Sequence, residues 1–320
     1  MNAKYRDNLP QLDSAVFLTD SGMETTLAFQ MGVEMPHFAA FDLLRDRVGR
    51  QLIDNYYRRH VKIARDRGCG FVLESPTWRA NPDWGAKLGY DAHGLDAVNR
   101  DAIAMLKSIR DDLETAATPC VISGNLGPRG DGYDPGEVMT EAAACNYHAA
   151  QIGTFASAGA DMVAALTITN TPEAIGIVRA ARAADMPAAI SFTVETDGRL
   201  PTGETLGQAI RAVDAATDGY AAYFMINCAH PDHFAGTLRQ GGDWIRRIRG
   251  LRANASRLSH AELDAAEELD DGNPAELGRD YAELLSLLPA TAVVGGCCGT
   301  DHRHVEAIAA HCVAPARQAA

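Results

Sequence analysis

Short apolar runs recur along the chain, with longer amphipathic stretches between them. The runs are Ala15–Asp20, Gly70–Glu74, Cys120–Asn125, Asp161–Ile168, Ala188–Val194 and Ala222–Cys228, a weaker one at Arg249–Asn254, and Thr291–Cys298. Each closes on polar, glycine or cysteine positions, as buried parallel strands do. The stretches Val48–Arg67, Leu95–Ala116, Thr140–Ala158, Pro172–Ala184 and Thr205–Ala216 carry helical spacing. Several open on a start signal, such as Thr171-Pro172-Glu173 or Thr140-Glu141.

Eight strands alternating with helices predict a (β/α)8 TIM barrel, with residues 1–320 as a single domain. A doubly wound open sheet shares the pattern. Its usual fingerprints, G-x-G-x-x-G after the first strand or G-x-x-x-x-G-K-[ST], are missing. The segment 256–276 holds Glu262, Asp264, Glu267, Glu268, Asp270 and Asp271 and reads as a solvated polar insertion. Residues 314–320 read as a disordered tail.

Composition narrows the partners. Of 320 residues, 47% are hydrophobic and 22% charged, enough for one large α/β core. A net charge of -13 opposes nucleic-acid binding, which needs a basic face, and weakly favours a cationic small molecule. No apolar run reaches the roughly 20 residues of a membrane span. The opening MNAKYRDNLPQLDS lacks a signal peptide's apolar core, which predicts a cytoplasmic protein. An odd count of seven cysteines in such a chain speaks for metal binding or burial rather than a disulfide framework.

The last run leads into Gly295-Gly296-Cys297-Cys298-Gly299-Thr300, and Cys228 closes the sixth in Asn227-Cys228-Ala229-His230. Adjacent cysteines on a strand point to opposite faces, but a glycine-flanked turn lets both sulfurs meet. In a barrel, strand C-terminal ends share one face, where active sites lie. Three cysteines there make a zinc site with one open position, and a substrate thiol in that position ionises at neutral pH. Cys69, Cys120, Cys145 and Cys312 read as buried small hydrophobes.

These residues resemble the homocysteine S-methyltransferase family over about Val16 to Ile308. The G-G-C-C-G-T segment at Gly295–Thr300 is its strongest marker, joined by Asn227-Cys228, Asp20-Ser21-Gly22-Met23-Glu24-Thr25-Thr26-Leu27, Gly124-Asn125-Leu126-Gly127-Pro128 and Ser191-Phe192-Thr193. The resemblance implies Zn2+ on Cys228, Cys297 and Cys298. It also implies homocysteine and a small methyl donor as partners. Asp20 and Glu24 are then expected at the reaction centre, and Gly22, Glu74, Asn125, Ser191 and Asn227 beside the substrate. Three departures stand out. Ser21 replaces a glycine of the usual D-G-G. Glu74-Ser75-Pro76-Thr77-Trp78-Arg79 replaces a T-N-T-Y-Q-like run. Leu166 stands where a glutamate usually helps hold the amino acid, leaving Glu24, Glu74 or Glu195 to supply a carboxylate.

The expected reaction is in-line displacement at a methyl on a positively charged atom, from S-methylmethionine, S-adenosylmethionine or a betaine. Aromatic faces suit such donors; Trp78, Trp84, Tyr133 and Phe192 are candidates, though packing explains each singly. His230, His233, His302 and His304 read as surface positions. No D-x-H-x-x-G corrinoid motif occurs. Three alternatives stand beside this reading: a different thiol acceptor, a subunit that needs a separate corrinoid protein, and a non-catalytic zinc-binding barrel with His230 or His302 as a fourth ligand.

Overall fold

A computed structural model describes residues 3–13 and 15–313. The expected tail at 314–320 lies outside them. Eight strands form the centre: β1 (Phe17–Leu18), β2 (Gly70–Glu74), β3 (Cys120–Leu126), β4 (Met162–Ile168), β5 (Ala188–Phe192), β6 (Tyr223–Asn227), β7 (Ile248–Ala253) and β8 (Val293–Gly296). The main helices alternate with them: α1 (Arg47–Arg67), α2 (Ala92–Leu113), α3 (Glu141–Ala158), α4 (Thr171–Ala183), α5 (Leu206–Thr217), α6 (Pro231–Arg239), α7 (Pro274–Leu287) and α8 (His302–Cys312). All neighbouring strands are parallel, and β1 pairs with both β2 and β8, so the sheet closes. Closure excludes the open doubly wound sheet, which would keep two edges.

Helix boundaries follow local chemistry. Asp46 caps α1 by accepting from the amides of Val48 and Gly49, and Gly68 in the left-handed region ends it. Thr205 and Gln208 form a reciprocal cap on α5, and Asp301 and His304 do so on α8.

The barrel interior changes character from bottom to top. Phe17, Val72, Val121, Met162, Ala164, Tyr223, Met225 and Val293 pack together inside it, and Leu9 of the N-terminal segment joins them. Two residues further along each strand, the same face carries Glu74 beyond Val72, Leu166 beyond Ala164, and Asn227 beyond Met225. These positions, with Arg252 at the end of β7, line a cavity of about 340 Å³ at the C-terminal face. Among the described residues, no helix is long and apolar enough to cross a membrane.

Candidate functional site

The sulfurs of Cys228, Cys297 and Cys298 all lie within 4.8 Å of one another, the one such group of metal-ligating side chains among the described residues. Cys228 follows β6 with φ 54°, a left-handed conformation costly for a residue with a Cβ. Its amide donates to the Arg252 carbonyl at 3.1 Å, and its carbonyl accepts from His260 Nε2 at 2.7 Å. The turn after β8 is pinned likewise: the Cys297 amide donates to the Ala253 carbonyl, and the Cys298 carbonyl accepts from the Ala255 amide. Gly22 lies so close that a Cβ there would stand 2.4 Å from the Cys297 carbonyl oxygen, so only glycine lets the β1 loop reach this turn.

Cys228 Sγ is 3.7 Å from Cys298 Sγ. A tetrahedral zinc with Zn–S bonds near 2.3 Å spaces its sulfurs about 3.8 Å apart, so this pair has the spacing a metal requires. Cys228 and Cys297 are paired as a disulfide, with Cα atoms 5.5 Å apart. That bond and a bound metal exclude each other, since ligation needs both sulfurs as thiolates. Two donors converge on the trio: Asn227 Nδ2 lies 3.7 Å from Cys297 Sγ, and the Tyr133 hydroxyl 3.7 Å from Cys298 Sγ. The donor set is therefore three cysteines with hydrogen-bond support and no histidine.

Beside the sulfurs sits a buried charge cluster. Arg252 donates to Asp20 Oδ1 at 2.7 Å, to Glu74, to the Ser21 carbonyl and, through Nε, to the Gly296 carbonyl at 3.0 Å. Two carboxylates share one guanidinium, so the second has no cation of its own. Burial pushes the Glu74 carboxyl up to about 7, opposed by Arg252 and reinforced by Asp20. Glu74 is therefore protonated in the fold at a pH where the unfolded chain has already released that proton. Its contribution to stability is complete below the ordinary carboxyl pKa and is lost as pH rises through about 7. Chemical denaturation from pH 5 to 8 is expected to show the wild type losing stability relative to Glu74→Gln. Parallel pH profiles for the two proteins would contradict this.

The segment read as a solvated insertion also borders the site. It spans residues 254–273, between β7 and α7, and Leu263, Asp264, Leu269 and Asp270 line the cavity. Its short helix His260–Asp264 is capped by Ser259 and Glu262, and His260 stacks on Tyr133 with ring centroids 4.0 Å apart. Asp264, Glu268 and Asp270 remain exposed, as expected of a solvated insertion, while they border the cavity from a lid held by His260.

The expected residues divide by position. Asp20, Gly22, Glu24, Glu74, Asn125 and Asn227 line the cavity, and burial raises the Glu24 carboxyl. Ser191 does not line it; its side chain is fully buried in the barrel and lacks a hydrogen-bond partner. Glu195 also points elsewhere, 3.2 Å from His260 Nδ1. Trp78 and Tyr133 line the cavity, whereas Trp84 does not and Phe192 packs against Phe224. The surface reading fails for His230 and His304, which are buried at the starts of α6 and α8, where their rings accept from backbone amides. Ser21 is explained by its anchorage, with Oγ 2.9 Å from both the Tyr56 hydroxyl and His60 Nε2. Burial keeps His60 neutral by lowering it to about 4, and holds the thiols of Cys69 near 11 and of Cys120 and Cys312 near 12.

Sequence reasoning passed over Arg252, Arg79 and the lid. A period-two reading of Gly250 and Arg252 would have placed the guanidinium inside the barrel; the weakness of that run hid it.

The family model of homocysteine S-methyltransferase matches residues 17–312 of the chain. Among solved structures, the homocysteine methyltransferase MmuM from Escherichia coli in its oxidised form is 19% identical, with a TM-score of 0.75 over 93% of this chain and 97% of that one. Its metallated form is 20% identical, with a TM-score of 0.73 over 94% and 98% of the two chains. At such identity the likeness is one of fold. No curated protein sequence matches.

Proposed function

We propose that this chain, which belongs to the homocysteine S-methyltransferase family and is a methyltransferase, transfers a methyl group from a small onium donor to the thiol of homocysteine, with zinc on Cys228, Cys297 and Cys298. The observation that carries the reading is the convergence of three cysteine sulfurs beside a cavity large enough for two small molecules. A zinc ion held there would lower the pKa of a coordinated substrate thiol and keep it ionised at neutral pH.

The chain's own residues supply the rest. Tyr133 and Asn227 direct donors at the cysteine sulfurs and fix their orientation. Asp20 and Glu74, both held by Arg252, form the polar floor beside the sulfurs on which the acceptor rests. Asp264, Glu268 and Asp270 of the lid, with the faces of Trp78 and Tyr133, suit a sulfonium or quaternary ammonium. In the transfer, a bond forms from the methyl carbon to the thiolate sulfur as the bond to the positive atom breaks. The leaving atom keeps that electron pair and becomes neutral, so no general base is needed once the thiol is ionised.

The test uses reduced, zinc-loaded protein with homocysteine and methyl-labelled S-methylmethionine, S-adenosylmethionine or glycine betaine, analysed by mass spectrometry. Labelled methionine from one donor, lost on chelation, is expected. No product from any donor would contradict the reading and favour the second one, a different thiol acceptor, for which Leu166 in the cavity wall is the reason. Asp264→Asn with Glu268→Gln is expected to raise the donor KM by about tenfold with kcat less changed, as loss of a charge partner for the bound cation would. An unchanged donor KM would remove the lid from donor binding.

A further inference from the structure

Among the described residues, two cations line the cavity, Arg79 and Arg252, and they differ in how they are satisfied. Arg252 is fully engaged by Asp20, Glu74 and two carbonyls, and those carboxylates hold it above the ordinary arginine range even against burial. Arg79 is satisfied less completely. Its guanidinium stacks 3.9 Å from the Trp84 ring centroid and 4.9 Å from that of Trp78, and it donates to the His37 carbonyl. It forms one ion pair, with Asp131 at 3.6 Å, longer than a hydrogen bond, and its Nε is buried without a partner. Burial lowers its pKa, and the neighbouring charges of Asp131 and Glu24 oppose that shift without cancelling it.

The surroundings leave a carboxylate one place to go. Asp264, Glu268 and Asp270 line the lid side of the cavity and would repel it, whereas Asp131, paired with Arg79, leaves Nε open. Arg79 lies near enough to Cys298 and Tyr133 to interact with both electrostatically. Trp78 joins this loop to β4 by donating from Nε1 to the Leu166 carbonyl at 3.1 Å, so Leu166 and Arg79 belong to one wall. That wall pairs an apolar side chain with a guanidinium. It offers an anchor for an anion and none for an ammonium.

We infer that Arg79 anchors the carboxylate of the acceptor, and that the acceptors of this site are small thiols selected by their carboxylate, with or without an amine. The inference rests on the metal–thiol reading above and adds the recognition element. Arg79 is a binding residue here, not a group that touches the reacting atoms. The two stacked indoles hold its planar fork in place, which lysine at the same position cannot reproduce.

Cobalt(II) substituted into the full, reduced chain reports thiol coordination by its visible bands without turnover. Three thiols separate the groups: homocysteine, 4-mercaptobutanoate without the amine, and 3-aminopropane-1-thiol without the carboxylate. Wild type is expected to bind the first two within about threefold and the third at least tenfold more weakly, as loss of a buried ionic partner requires. The acidic cavity alone would favour the aminothiol, so this order is opposite to that of bulk charge. Arg79→Gln should abolish the preference and Arg79→Lys keep part of it, with cobalt stoichiometry in each showing an intact site. Equal affinities in wild type would overturn the inference. So would a preference that survives Arg79→Gln, or an Arg79→Gln effect confined to the donor KM. No thiol-dependent band with any of the three would instead sink the metal–thiol reading itself.

Discussion

Alanine at Cys297 or Cys298 is expected to remove bound metal and activity together, with turnover falling on the order of a thousandfold or more. Two losses combine. A free thiol with a pKa near 8.5 is only a few per cent ionised at neutral pH. Its sulfur is also no longer held against the donor, a positioning effect worth several further powers of ten in favourable cases. The remaining two sulfurs cannot fill three of the four positions of a tetrahedral ion. Metal content by mass spectrometry and label transfer are measured on the same samples. The Cys69→Ala and Cys312→Ala variants are the controls, because burial raises both thiols and neither lines the cavity. Zinc retained at full stoichiometry in Cys298→Ala would overturn the ligand assignment.

Arg252→Met should be the most destabilising single change at the site. It leaves Asp20 and Glu74 buried beside each other without their cation, and removal of one partner from a buried ionic group costs about 3–5 kcal/mol. It also frees the Gly296 carbonyl next to Cys297, so metal affinity should fall in parallel. Adding Asp20→Asn and Glu74→Gln to Arg252→Met should recover much of the stability, since an uncharged set has less to desolvate. Denaturant midpoints measure this directly. A loss below about 1 kcal/mol would mean that the carboxylates carry no uncompensated charge when Arg252 is gone, as for an exposed ion pair.

The barrel was legible because its strands are buried on both faces and read as apolar runs with clear ends. The run Arg249–Asn254 read weakly because Arg249 and Arg252 interrupt it, and Arg252 is the residue that organises the charge cluster. The cysteines were legible because two adjacent thiols reach one point only through a tight turn, and Gly296 and Gly299 on either side of the pair announce that turn. The lid's place over the cavity was not, since exposed acids such as Asp264 and Asp270 carry no sign of the cavity they border. His230 and His304 were misplaced for a similar reason: a helix start can bury a polar ring by giving it backbone partners. Ser191 carried its motif but sits on β5, whose upper end lies away from the cavity.

X-ray absorption at the zinc edge, on reduced protein with and without homocysteine, decides whether the three cysteines leave a metal position open to a substrate thiol. Three sulfurs and one lighter atom are expected around zinc in the free protein. Four sulfurs near 2.3 Å are expected once the thiol is added. A shell of four protein ligands that homocysteine leaves unchanged would contradict a thiol-activating site.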